Sequence, residues 1–544
     1  MVVLRKYADL APDEAKPVLS FDLPELVYPE RLNAVQAVLE GAMENGWSDR
    51  TAYFAGGEAY SFDDITRLVH RASAALRALG VSRGEVVILR IPDTLDLVTT
   101  LLAVQAIGAV AMPTYVQLRM DDLIYRANDA DARLLISTLD LLEEALPVSE
   151  ARGGMTEVVA IPSDPAGRCR GFADYLPKEV AAADYTDTDA EELCLFLYTS
   201  GSTGAPKGTT HCHRDMLAVA DSYWRYCLAP GPGDVMGGPP SIAFALGFGM
   251  YIYFPLRLGH AAVLEPDKSP NKALEQIEKY GVTIFAGVVS YYNALARLIQ
   301  EGDYDISSLR HPMTGGEPLA EETEKIWLEV TGVPLEQFIG TTEMLHCFVT
   351  STRPHGTPHA GTLGHAVPGY EVAVLDPETY EPVADGEHGL FATKGPTGTV
   401  YWNKPEQQAL IVRGGWNVFQ DVVWRDLEGN YHYVARHDEM IISSGYNISP
   451  VQVEDTLLRH HAVVECACVP APDPSGKRGA IVKAYVVLNE NQDGNDALAS
   501  ELKNFVKATA APYLYPREIA FEASLPKTIN GKILRSELRR RASL

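Results

Sequence analysis

Apolar runs bounded by glycine, proline and charged residues recur along the chain, and two kinds of run alternate. Glu85 to Ile91 (EVVILRI), Arg133 to Ser137, Leu193 to Tyr198 and Thr283 to Gly287 are short and bounded by turn residues, the pattern of buried strands. Thr99 to Val110 is longer and apolar on all sides, and reads as a packed helix. Alternation of this sort predicts an α/β fold, with parallel-type sheets covered by helices. Near the middle the pattern tightens. Thr314-Gly315-Gly316-Glu317 reads as a turn, and Pro318 suits the first position of a helix whose opening turns carry Glu321, Glu322 and Glu324. Leu335 to Ile339 then reads as a strand that ends in Gly340-Thr341-Thr342-Glu343.

The pattern changes near residue 436. Beyond it come Val463 to Val469 and Ala480 to Leu488 as strands, and a helix with Leu498, Leu502, Phe505 and Val506 on one face. Ile519 to Phe521 and the loop LPKTINGKI follow. These elements predict a large N-terminal domain over residues 1–436 and a small α+β C-terminal domain over 437–544.

Composition narrows the class. With 46% hydrophobic and 22% charged residues the chain has the balance of a soluble globular protein. A formal net charge of −26 argues against a nucleic-acid partner. The first residues, MVVLRKYADLAPDEAKP, lack the apolar centre of a signal peptide, and Leu101 to Pro113 is too short to span a bilayer. Seven cysteines without a framework spacing suit a reducing compartment, so a cytoplasmic protein with no membrane partner is expected. His211-Cys212-His213 are consecutive and have no second ligand pair, which argues against a metal there.

Candidate chemistry is densest at Tyr198 to Gly208, YTSGSTGAPKG. Gly201, Gly204 and Gly208 allow backbone N–H groups to close on an anion. Thr199, Ser200, Ser202, Thr203 and Lys207 add hydroxyls and one ammonium, a donor set that suits a polyphosphate. Pro206 and the lack of a Lys-Ser/Thr pair exclude a Walker loop.

Four segments in order, YTSGSTGAPKG, the GTTEM turn, VARHDEMIISSGYNISPVQVED and PKTINGK, resemble the adenylate-forming superfamily of acyl-CoA synthetases, carrier-protein adenylation domains and luciferases. The resemblance covers nearly the whole chain. It implies ATP, Mg²⁺ and coenzyme A: a carboxylate attacks the α-phosphorus of ATP, and a thiol then displaces AMP. It also implies that the loop from Thr199 through Ser200, Gly201, Ser202, Thr203 and Gly204 to Lys207 holds the β- and γ-phosphates. Glu343, with Thr199 or Thr342, would serve Mg²⁺, which prefers oxygen ligands. Gly315, Gly316, Glu317 and Pro318, with Phe338, Ile339, Gly340 and Thr341, match adenine-binding positions, and Asp421 and Arg436 match the ribose-binding pair. Lys532 matches the catalytic lysine of adenylation and lies in a Pro526/Gly531 pattern resembling sites where acetylation silences such enzymes. Asp438 matches the hinge about which the small domain turns between half-reactions. Three positions depart from the family: Ile339 replaces a common tyrosine, Phe419-Gln420 replaces Thr-Gly before Asp421, and Ile442 replaces a lysine.

For the acid, Phe244, Ala245, Gly247, Gly315 and His346 are the expected pocket residues. Ala245 stands where α-amino-acid-activating relatives carry an aspartate, so an α-amino acid is not expected. Ile339 to His346 is similar to benzoate-CoA ligases, and Ser443 to Pro450 to 2-aminobenzoate-CoA ligases. The expected substrate is an aromatic monocarboxylate, 2-aminobenzoate ahead of benzoate, with His346 either bonding a ring substituent or packed. Ser443, Ser444 and Gly445 match the pantetheine channel. No phosphopantetheine signal follows Lys532, so free coenzyme A is favoured over a separate carrier protein, in a monomer or homodimer.

Overall fold

In the computed structural model, the described residues are 6–179, 185–199, 206–231, 233–352, 361–443, 446–474, 480–489, 492–511, 513–528 and 531–543. The fold is mixed α/β, with a large N-terminal and a smaller C-terminal domain. Ser200 to Gly204, Ser444 and Gly445 lie outside the described residues.

Among those residues the N-terminal domain contains three sheets. The first has seven strands in the order Arg170–Gly171, Glu157–Ile161, Leu134–Thr138, Val86–Arg90, Val110–Pro113, Leu193–Thr199 (β1) and Lys207–Cys212 (β2). Its neighbours pair in parallel except β1 and β2, which form an antiparallel hairpin with Thr199 opposite Lys207. Thr199 and Lys207, which flank the expected phosphate segment, are thereby paired. The second sheet has nine strands and contains His311–Gly315 (β3) beside Glu336–Gly340 (β4), parallel and with Gly315 level with Phe338. Val87, Leu89, Leu134 and Ile136 of the first sheet and Met236, Ile284 and Met313 of the second share one core with the helices packed on them.

The third sheet was not foreseen. Five antiparallel strands, including Trp416–Arg425 (β5) and Tyr431–Arg436 (β6), complete the domain. The C-terminal domain sets Val463–Pro472 against Ala480–Leu488, with Glu518–Phe521 parallel to the latter. Helices Pro450–Leu458 (α1), Asp496–Thr509 (α2) and Arg535–Ala542 (α3) accompany the sheet. Leu498, Leu502 and Val506 of α2 enter its core beside Cys466 and Cys468.

Two local readings need correction. The apolar helix spans Leu95–Ala106, and Val110 begins a strand, because Gly108 breaks the helix in the left-handed region at φ 74°. The acidic helix begins at Glu321, with Ala320 as its extended N-cap, so Pro318 stands in the preceding turn. Glu321, Glu322 and Glu324 do occupy its first turn. Among the described residues no helix is long and apolar enough to cross a membrane.

Candidate active site

β3 and β4 are parallel neighbours, so the turns that leave their carboxyl ends lie side by side, the place where open α/β sheets bind ligands. Gly315 has no room for a side chain: a Cβ there would come 2.5 Å from the Phe338 ring. Gly316 follows with φ 84°, a conformation glycine enters without steric cost. A Cβ at Gly316 would come 2.7 Å from Lys532 Nζ and 2.8 Å from its Cε. The lysine of the C-terminal domain therefore lies directly on the turn after β3.

Lys532 Nζ also stands 5.5 Å from the centre of the Phe244 ring. One ammonium is thus placed between an expected nucleotide-binding turn and an expected acid-pocket residue. Its loop is short and self-bonded: Thr528 N donates to the Lys532 carbonyl at 2.7 Å and Leu534 N to the Pro526 carbonyl at 2.7 Å. Three residues on, Arg535 fixes the loop to α1 through a two-pronged pair with Glu454 at 2.5 and 2.7 Å.

The electrostatics are mutually dependent. Burial lowers the Lys532 pKa below its ordinary value, and the carboxylates of Glu317 and Asp421 oppose that shift. Burial likewise raises Glu317, opposed by Lys532, and raises Asp421, opposed by Arg436, Lys532 and a hydrogen bond from Tyr433. Asp421 and Arg436 face each other across β5 and β6. Arg436 Nε donates to Asp438 Oδ1 at 3.0 Å, and the Asp438 carbonyl accepts from Arg539 of α3 at 3.0 Å.

The turn after β4 is fastened from below. His211 Nε2 donates to the Thr342 carbonyl at 2.9 Å, and Met344 N donates to Thr341 Oγ1 at 3.2 Å. His211, weighed from sequence only as a metal ligand, instead holds this turn. Glu343 accepts from the Tyr401 hydroxyl at 2.6 Å, and Lys207 Nζ lies 4.6 Å from the centre of the same ring. Among the described residues no group of three or more His, Cys, Asp or Glu could hold a metal. The hydroxyl of Thr199 and the carboxylate of Glu343 are hard oxygen donors and few. They are of the kind a Mg²⁺ ion prefers and would supply two of its ligands.

His346 is 3% exposed, and neither of its ring nitrogens has a hydrogen-bond partner among the described residues. Burial pushes its pKa down to about 3, so the imidazole is neutral, with one donor and one acceptor unused. Phe338 stacks on it at 5.9 Å, Phe254 meets it edge-on at 4.5 Å, and Tyr223 lies at 5.2 Å. Ala245 is buried. Gly249, overlooked in the sequence, faces this ring: a Cβ there would meet His346 Cδ2 at 2.9 Å. Gly247 faces elsewhere, its Cβ position lying 2.2 Å from the Ser241 carbonyl. Ile339 packs on the core, and Ser443 is buried in a hairpin strand opposite Tyr446.

A family model for AMP-binding enzymes matches residues 41–402, and one for their C-terminal domain matches residues 452–532. The chain belongs to the AMP-binding enzyme family. A relative within this adenylate-forming superfamily is the benzoate–CoA ligase of Thauera aromatica, 34% identical over 95% of this chain and 97% of its own. The feruloyl-CoA synthase of an Amycolatopsis species is 32% identical over 90% of this chain and 96% of its own. Among solved AMP-binding enzymes, the anthranilate CoA ligase AuaEII in complex with anthranoyl-AMP superposes with a TM-score of 0.89. It is 30% identical and covers 96% of this chain and 99% of its own.

Gly316→Ala should act on both backbone and lysine. Left-handed geometry costs a residue with a Cβ about 1–2 kcal/mol, and the new methyl displaces Lys532. Denaturant unfolding should register that loss, and calorimetric titration should show weaker AMP binding; unchanged AMP affinity would contradict this placement of Lys532.

Proposed function

We propose that this member of the AMP-forming acid–CoA ligase family activates an aromatic monocarboxylate with ATP and transfers the acyl group to coenzyme A, 2-aminobenzoate being favoured over benzoate. The observation that carries the reading is Lys532, whose ammonium touches the Gly316 turn and lies near Phe244. A cation at that point faces both partners of the first step, an anionic carboxylate and an anionic phosphate.

In the first step a carboxylate oxygen of the acid attacks the α-phosphorus, and the P–O bond to the β-phosphate breaks, releasing pyrophosphate. Lys532 neutralises the charge gathered between nucleophile and phosphorus, positioning and compensation being what such a transfer needs. Asp421 accepts from the ribose hydroxyls, and Arg436 braces it. The turns 315–318 and 338–342 hold the adenine. Lys207 and Thr199, paired at the ends of β1 and β2, would hold the β- and γ-phosphates, a role the resemblance also implies for Ser200 to Gly204. Glu343 and Thr199 would hold Mg²⁺, which when bound screens the phosphate charge. In the second step the coenzyme A sulfur attacks the acyl carbonyl and AMP leaves with the mixed-anhydride oxygen. Asp438 is the hinge that withdraws Lys532 and turns the segment of Ser443, Ser444 and Gly445 toward the site.

Two observations favour an aromatic acid. Relatives of this chain include a benzoate–CoA ligase and an anthranilate CoA ligase that binds anthranoyl-AMP. The neutral imidazole of His346, ringed by Phe338, Phe254 and Tyr223, offers hydrogen-bonding capacity in an otherwise apolar wall. An ortho amino group would use it.

A panel of acids supplied with ATP and coenzyme A, read for AMP and for thioester by mass, tests the reading. Turnover should be highest for 2-aminobenzoate and then benzoate; faster turnover of hexanoate or octanoate contradicts it, and AMP without thioester would point to a carrier protein as acceptor. Asp438→Pro should leave pyrophosphate release within about twofold while slowing thioester formation by about tenfold or more, the signature of an obstructed domain motion. Equal loss in both steps would reject the hinge.

A further inference from the structure

Tyr401 belongs to none of the recognised motifs, yet it touches two of them. Its backbone is bound into the strand that carries Lys207: Thr209 and Tyr401 form an antiparallel bridge, and Trp402 N donates to the Gly208 carbonyl at 2.9 Å. Tyr401 N donates to Gln408 Oε1 at 3.0 Å. The residue is 2% exposed, so its side chain has one position to occupy. From there the hydroxyl donates to Glu343 Oε1 at 2.6 Å, while the ring face lies 4.6 Å from Lys207 Nζ.

Lys207, at the start of β2, and Glu343, on the turn after β4, carry opposite charges that attract each other. If Lys207 and Glu343 paired, the phosphate cradle would lose its cation and the metal its carboxylate. Tyr401 supplies each with another partner. The phenol bonds one oxygen of Glu343 and leaves Oε2, and the ring's negative face attracts the ammonium without neutralising it.

We propose that Tyr401 is a positioning residue that separates Lys207 from Glu343 and holds both ready, one for polyphosphate and the other for the divalent cation. The inference rests on the roles given above to Lys207 and Glu343.

The full-length protein should be titrated calorimetrically with a non-hydrolysable ATP analogue, once with Mg²⁺ and once with chelator. Tyr401→Phe keeps the ring and should bind the chelated nucleotide within about twofold of wild type. Its Mg²⁺-dependent gain in affinity should fall about tenfold, the loss of one hydrogen bond to a charged group. Tyr401→Leu removes ring and hydroxyl together and should weaken binding in both conditions. A full Mg²⁺ gain in Tyr401→Phe, beside its loss in Glu343→Gln, overturns the proposal alone. A full gain in Glu343→Gln itself overturns the assignment of Glu343, and the proposal with it.

Discussion

One buried positive charge organises this molecule. Taking the Lys532 ammonium out of water is unfavourable, as the depression of its pKa records, and only neighbouring negative groups make the position tenable. Glu317, from the turn after β3, and Asp421, from β5, supply them in part. Both are themselves disfavoured by burial and relieved by Lys532. The three groups come from different parts of the chain and two domains, and each opposes the effect of burial on another. In the proposed reaction a nucleotide and an acid would add further negative charge at the same point. On that reading, substrate binding and docking of the C-terminal domain are coupled through the same charges.

The same logic explains the rigidity around the lysine. Arg535, fixed by Glu454, the Cys468 carbonyl at 3.1 Å and Glu439 at 3.5 Å, anchors the loop three residues downstream. Glu439 adjoins Asp438, and Arg539 of α3 bonds the Asp438 carbonyl. The elements that present Lys532 are thereby bonded to the segment about which the small domain is proposed to turn. A second tie between the domains, Arg459 to Glu321 at 2.5 Å, lies on exposed surface and contributes little in water.

The candidate chemistry is legible in the sequence where it is local. Glycines that let backbone approach an anion, hydroxyls beside a lysine, and an acid closing a Gly-Thr-Thr-Glu turn carry their reason in adjacent residues. Strand runs such as Leu193 to Tyr198 announced themselves by apolarity alone. What stayed hidden depends on register. Tyr401 meets Glu343 because the chain at Thr399–Trp402 lies beside β2, a pairing across nearly two hundred residues that no short pattern records. Gly249, rather than Gly247, faces His346 because of how one short helix is turned. The antiparallel sheet of β5 and β6 was missed for a related reason: its strands mix buried and exposed positions, and Trp416–Arg425 carries a register shift.

The central claim is that Lys532 serves acyl-adenylate formation and has no part in thioester formation. The direct measurement is to follow the two half-reactions separately in Lys532→Ala, one from acid and ATP, the other from synthetic acyl-adenylate and coenzyme A. Removing a charge aimed at the reacting centre should slow the first by about a hundredfold or more and leave the second within about threefold of wild type. Comparable loss in both, or adenylation that survives intact, would contradict the account.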